Sequence, residues 1–141
     1  MGRATSAKGV RGGRPRPSYA LSVQYVMVVL LTTRADPPRR MDVSVVIATF
    51  RRAWSLPLAL ESLTAQTRMP DEVVVVLKPS GDGSEDVIKE YESKLPIKLL
   101  IQRRGNVTDA VEMGYRSASG DLVLFIDDDA IAHKELALFT N

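Results

Sequence analysis

Cysteine is absent from the chain, which excludes disulfides and thiolate metal centres and makes an intracellular setting the easier reading. Histidine occurs once, at His133. A lone imidazole has no second histidine to share a metal and no partner to make it a base, so His133 is expected on the surface of a helix. Long apolar runs are also missing. Ser18–Thr33 is uncharged over 16 residues, short of the roughly 20 that a helix needs to cross a bilayer, and Ser22 and Gln24 dilute it further. Basic residues before it imitate a signal peptide, but Thr32-Thr33-Arg34-Ala35 makes a poor cleavage site. The expected location is cytoplasmic, with peripheral contact at a membrane through this segment as the second reading.

The charge that is present divides the chain. Residues 1–40 hold eight Lys/Arg and one acid, whereas the remainder holds 11 basic and 16 acidic groups. The pI near 9.0 therefore describes the N-terminal stretch and not the body. A basic nucleic-acid surface is not supported for the body, and no nucleic-acid partner is expected. Met1–Pro17, rich in Arg, Gly and Pro, is expected to be disordered, because it has too little apolar area to offset its ordering entropy. Met41 leads directly into a clean strand pattern. The favoured expectation is that the natural product starts there, with residues 1–40 an extension arising from start-codon choice. Residues 41–141 then form one domain.

Across that domain strand and helix patterns alternate. Val43–Ala48 is a β-branched run suited to a buried parallel strand. Leu56, Ala59, Leu60 and Leu63 recur at helical spacing, with Ser55 as the expected N-cap and Pro57 in the first turn. Glu72–Leu77 is a second strand, and Lys78–Ser84 must be a loop. Ser84 is expected to cap a helix over Glu85–Ser93, with Val87, Ile88 and Tyr91 inward. Ile97–Ile101 is a third strand. Asn106 or Thr108 caps the next helix, whose inward face is Val107, Ala110, Val111, Gly114, Tyr115 and Ala118, ending at Gly120. Leu122–Ile126 is the fourth strand.

This order predicts a doubly wound, mostly parallel α/β sheet with right-handed crossovers. In such a sheet the first strand often lies beside the fourth, which would bring Ala48–Arg52 next to Asp127–Asp129 in a crevice at the carboxyl edge. Three adjacent carboxylates repel one another unless a cation or hydrogen-bond donors compensate. An oxygen-only set suits Mg²⁺ or Mn²⁺. The alternative is that the acids cap a helix over Ala130–Phe139.

These residues resemble a known family. Val43-Ser44-Val45-Val46-Ile47-Ala48-Thr49-Phe50-Arg51-Arg52, Ala59–Thr67, Pro70–Val76 and Ser119–Asp129 are similar to the opening of family 2 glycosyltransferases with the GT-A fold, including an Asp-x-Asp motif. The resemblance implies a hexosyltransferase-type domain that binds a UDP- or GDP-linked sugar. It implies a divalent metal, Mn²⁺ or Mg²⁺, on Asp127 and Asp129. Asp128 would reach ribose or sugar hydroxyls, Thr49 and Phe50 would line the nucleobase pocket, and Arg52 would contact phosphate or base.

Three positions depart from the pattern. Leu77-Lys78-Pro79-Ser80 replaces an acidic pair that contacts the nucleotide, Val111-Glu112 replaces an Arg-Asn, and Ala48 replaces a proline. The sheet is also expected to stop after its fourth strand, so that the acceptor-binding half and the catalytic base fall outside residues 1–141. The acceptor is undefined, and a second polypeptide completing the domain is one expectation. A nucleotide- or partner-binding module that has lost transfer is the alternative.

Overall fold

Alternate residues along Val43–Thr49 take opposite sides of a sheet, and the two sides collect different helices. A computed structural model describes residues 27–30 and 40–136. Its strands are β1 (Met27–Leu30), β2 (Val43–Thr49), β3 (Glu72–Leu77), β4 (Ile97–Ile101) and β5 (Leu122–Phe125); its helices are α1 (Leu56–Thr64), α2 (Ser84–Tyr91) and α3 (Val107–Ser117). Val43, Val45 and Ile47 pack with Leu56, Leu60 and Leu63 of α1 and Ile88 of α2. Val46, Val74, Val76 and Val123 face Ala110 of α3 on the other side. Each fully buried Val, Leu or Ile contributes about 1.5–3 kcal/mol, so the two apolar layers carry most of the stability.

The strand order is β1-β5-β2-β3-β4. The pairs β5–β2, β2–β3 and β3–β4 are parallel, with Val45 opposite both Leu124 and Val73. The first body strand does lie beside the last, as a doubly wound sheet requires. β1 adds an antiparallel fifth strand along β5, Met27 opposite Phe125 and Leu30 opposite Leu122. The expectations of disorder and of a membrane-associating segment in the N-terminal extension concern residues that, apart from Met27–Leu30 and Arg40, lie outside the described ones. No helix among the described residues is long and apolar enough to cross a membrane.

Several local expectations change. α2 begins at Ser84 and not at Glu85, with Gly83 as N-cap at φ 91°. Ser84 is not the cap because the Asp82 carboxylate already accepts from its amide, at 3.1 Å, and from its hydroxyl, at 3.0 Å. At α3 the choice falls on Asn106, whose side chain accepts from the amides of Thr108 and Asp109 while Asp109 accepts from the Asn106 amide. Val107, expected inward, is 69% exposed, since it lies in the first turn beyond the sheet's edge. The chain after the acids is not helical over residues 130–136. His133 is exposed but sits on no helix: Ser62 of α1 takes the Ala132 amide, Gln66 takes the His133 carbonyl, and the chain then makes a turn over residues 134–136.

At the amino edge of the sheet Glu72 gathers three donors: the Ser44 hydroxyl at 2.6 Å, and the Ser119 amide and hydroxyl at 2.9 and 3.1 Å. Burial works against its ionisation, but these hydrogen bonds and Lys98 hold its carboxyl below the usual range. Ser44 Oγ in turn accepts from the Gly120 amide at 2.9 Å. Gly120 lies so close that a Cβ there would meet the Ser44 amide nitrogen at 2.7 Å and the Asp42 carbonyl oxygen at 2.9 Å. Gly120→Ala should therefore displace the entry to β5 and destabilise the domain by about 1–3 kcal/mol, the range for overpacking a tight site. Urea unfolding of the variant beside the parent chain measures this, and an unchanged midpoint would contradict it.

Candidate functional site

Strands that run parallel present their carboxyl ends along one edge, and here four elements turn there together. β5 leads into Asp127–Asp129, β2 into Phe50–Arg52, β3 into Lys78 and β4 into Gln102. The ladder continues past the strand ends: Ile126 donates to the Val46 carbonyl at 3.1 Å, Lys78 to Thr49 at 3.0 Å and Gln102 to Leu77 at 2.8 Å. The first residues of these loops are thus held as firmly as the sheet itself.

They surround an open cleft of about 480 Å³. All six residues expected at a site, Thr49, Phe50, Arg52, Asp127, Asp128 and Asp129, lie on its wall. Lys78, Gln102, Asn106 and Val107 complete the far side. The Lys78 contribution was legible only as a departure from the family pattern. Gln102 and Val107 escaped the sequence reading, although Gln102 follows directly on a predicted strand and so belonged to the carboxyl edge.

The acids form a turn, with the Ala130 amide donating to the Asp127 carbonyl at 3.1 Å. Asp127 is exposed, and Asp128 and Asp129 are half-buried. Burial pushes the Asp128 carboxyl up. Thr49, the Arg52 guanidinium and the Phe50 amide oppose that rise, while the neighbouring Asp129 charge adds to it. Arg52 Nε stands 3.9 Å from Asp128 Oδ1, a loose pair, and its guanidinium also lies 5.4 Å from the Trp54 ring centroid. Thr49 Oγ1 adjoins the same turn but is buried without a hydrogen bond of good geometry. Among the described residues no three His, Cys, Asp or Glu side chains converge as a preformed metal cage.

α1 holds this turn from below. The Ser55 hydroxyl, freed from capping its own helix, donates to the Asp128 carbonyl at 3.1 Å. Further along, the Ala132 amide donates to Ser62 Oγ at 2.9 Å, and Gln66 bridges the His133 carbonyl and the Leu136 amide. On the opposite flank Asp82 fixes the Phe50–Trp54 loop by accepting from the Ala53 amide at 3.1 Å. That loop needs fixing, since Arg51 adopts a left-handed φ of 55° that costs a non-glycine residue energy.

Fold and cleft define the class: a doubly wound α/β domain of GT-A type, with its candidate site at the sheet's switch point. The Glycosyl transferase family 2 profile matches residues 44–138, and the chain belongs to that family. An uncharacterized glycosyltransferase of Nostoc sp. is 34% identical over 93 residues, covering 64% of this chain and 29% of that protein. The crystal structure of S. aureus TarS 1-349 in complex with UDP superposes with a TM-score of 0.63 at 29% identity, over 67% of this chain and 29% of that one. The mannosyltransferase PcManGT from Pyrobaculum calidifontis, in complex with GDP-Man and Mn²⁺, gives a TM-score of 0.60 at 29% identity, over 70% and 31% of the two chains. The chain thus spans less than a third of the length of each of these three proteins.

Two measurements check the supports. Ser55→Ala leaves the Asp128 carbonyl without its donor and should cost about 0.5–1.5 kcal/mol, read from thermal unfolding. For Asp82, slight burial opposes ionisation, but the Ser84 hydroxyl and the Ala53 and Ser84 amides bring its carboxyl down from 3.8 to about 2. Its charged form therefore adds stability that is complete above 3.8 and is lost as pH falls towards about 2. Asp82→Asn should flatten that part of the acid unfolding curve between pH 5 and 2; an identical curve would show that the contacts carry no linkage.

Proposed function

We propose that this chain forms the donor-binding part of a glycosyltransferase, binding a UDP- or GDP-linked sugar through a divalent metal for transfer to an acceptor. The observation that carries the proposal is the convergence of Thr49, Phe50, Arg52 and Asp127–Asp129 on one cleft at the carboxyl edge of a parallel sheet, in a family 2 chain. The relatives described with UDP or with GDP-Man and Mn²⁺ support the same class of ligand.

The donor set fits a hard divalent ion. Asp127 and Asp129 offer oxygen ligands only, neither carboxylate is matched to a basic side chain in the described ion pairs, and Mg²⁺ or Mn²⁺ commonly completes its shell with water and phosphate oxygens. When bound, such an ion supplies Lewis-acid stabilisation of a diphosphate leaving group. The chain's own residues do the rest. Arg52, half-exposed at the rim, brings a fixed positive charge to the phosphates. Asp128, half-buried between its two neighbours on the cleft wall, offers carboxylate oxygens to ribose or sugar hydroxyls. Phe50, 43% exposed, offers apolar surface to the nucleobase beside Thr49.

Asp129→Ala should abolish the Mn²⁺-dependent part of UDP and GDP binding, at least a ten-fold loss, while leaving the melting temperature nearly unchanged. Calorimetric titration with and without Mn²⁺ checks this, and unchanged affinity in the variant would remove Asp129 from the metal assignment.

A further inference from the structure

Lys78 is the one cation on the cleft wall that lies away from the acids, and its surroundings give it a direction. Its Nζ donates to the Gly105 carbonyl at 2.9 Å and lies 5.4 Å from the Phe50 ring centroid. The anchoring carbonyl is itself fixed: Gly105 sits at φ 98°, where a Cβ would meet the Asp109 carboxylate at 2.5 Å. An ammonium has three donors and no acceptor, so two donors remain once Gly105 is served. No carboxylate pairs with Lys78 among the described ion pairs.

Beside it, on the next strand end, stands Gln102, 6% exposed. Its amide nitrogen gives one of its two hydrogens to the Asn106 carbonyl at 2.9 Å, which turns the side chain in place, and its side-chain oxygen is an acceptor that no described hydrogen bond uses. Lys78 follows β3 and Gln102 follows the neighbouring β4, strands whose backbones run about 4.8 Å apart, so a donor and an acceptor share this end of the cleft. Phe50 and the exposed Val107 add apolar surface to the same end. From the acids to Gln102 the edge crosses three strand spacings, about 14 Å, enough to lay a nucleoside diphosphate lengthwise.

We propose that Lys78 is a specificity-determining residue: it donates to the exocyclic carbonyl oxygen of a keto nucleobase while Gln102 accepts the adjacent ring N–H. The inference rests on the donor-cleft reading above and adds the residues that would select a keto base over an amino one. With the diphosphate held at the acids, uracil and cytosine occupy the same pose. Exchanging the uracil oxygen for the cytosine amino group then sets donor against donor at Lys78, and acceptor against acceptor at Gln102. An unmade hydrogen bond of this kind costs about 1–3 kcal/mol, so UDP should bind about ten-fold more tightly than CDP, or better. GDP should exceed ADP for the same reason.

The test is calorimetric titration of the full chain with UDP, CDP, GDP and ADP in Mn²⁺, repeated on Lys78→Met, which keeps the apolar stem and removes the donors. The expected result is that Lys78→Met loses UDP and GDP affinity, brings the UDP/CDP ratio close to one, and melts at the parent's temperature. Lys78→Glu, which presents an acceptor, should push the ratio below one. An equal loss for all four nucleotides would place Lys78 on the phosphates and overturn the proposal alone. A UDP/CDP ratio unmoved in Lys78→Met would overturn it too. If the parent chain binds no nucleotide at all, the donor-cleft reading falls and takes this inference with it.

Discussion

Three adjacent carboxylates at the end of a buried strand repel one another, and the backbone that carries them must be restrained by something other than themselves. α1 supplies that restraint. Ser55 at its N-cap, Ser62 within it and Gln66 just past its C-cap each spend a polar group on the chain from Asp128 to Leu136. Leu56, Leu60 and Leu63 bury themselves under the sheet between those contacts. The helix is therefore both a core element and a strap. Its position under β2 fixes the acids relative to Thr49, the last residue of β2, and Phe50, the next one, so the two walls of the cleft share one support.

The opposite edge of the sheet does a complementary job. Glu72, Ser44, Ser119 and Gly120 tie β3, β2 and the entry to β5 into one network. A side chain alternates faces with period two, so a one-residue slip of β5 would turn Val123 into the wrong layer and move the acids along the edge. Register at the amino end thus determines where charge lies at the carboxyl end. Gly114 adds a third constraint: a Cβ there would collide with Val46 Cγ1, so α3 sits close against the sheet.

Much of this was readable from residue order. The β-branched runs and the helical spacing of Leu56, Ala59, Leu60 and Leu63 reflect burial, a property local enough to show in the sequence. The adjacency of β2 and β5, and with it the meeting of Thr49–Arg52 with Asp127–Asp129, followed from connection rules. What stayed hidden depends on competition between partners. Ser55 does hold the N-cap position of α1 but sends its hydroxyl to the Asp128 carbonyl, and Ser84, expected as a cap, is claimed by Asp82 and becomes the first residue of α2. The path after Ala130 has helix-forming residues, but the Ser62 and Gln66 contacts take backbone groups that a helix would use for itself. Val107 fits the helical face by spacing and misses the core because α3 starts beyond the sheet's edge. Such outcomes are set by neighbours many residues away, which no local window contains.

The antiparallel pairing of Met27–Leu30 with Leu122–Phe125 changes the standing of β5. With that partner in place, the strand bearing the acids is an interior strand whose amides and carbonyls are spent on both sides. Without it, the same strand would be the sheet's rim, offering a row of unpaired groups to any extended chain that approached. Four residues of backbone thereby separate the strand that leads into the three acids from the hazard of edge-to-edge association, and leave β4, interrupted by Lys98, as the sheet's other margin.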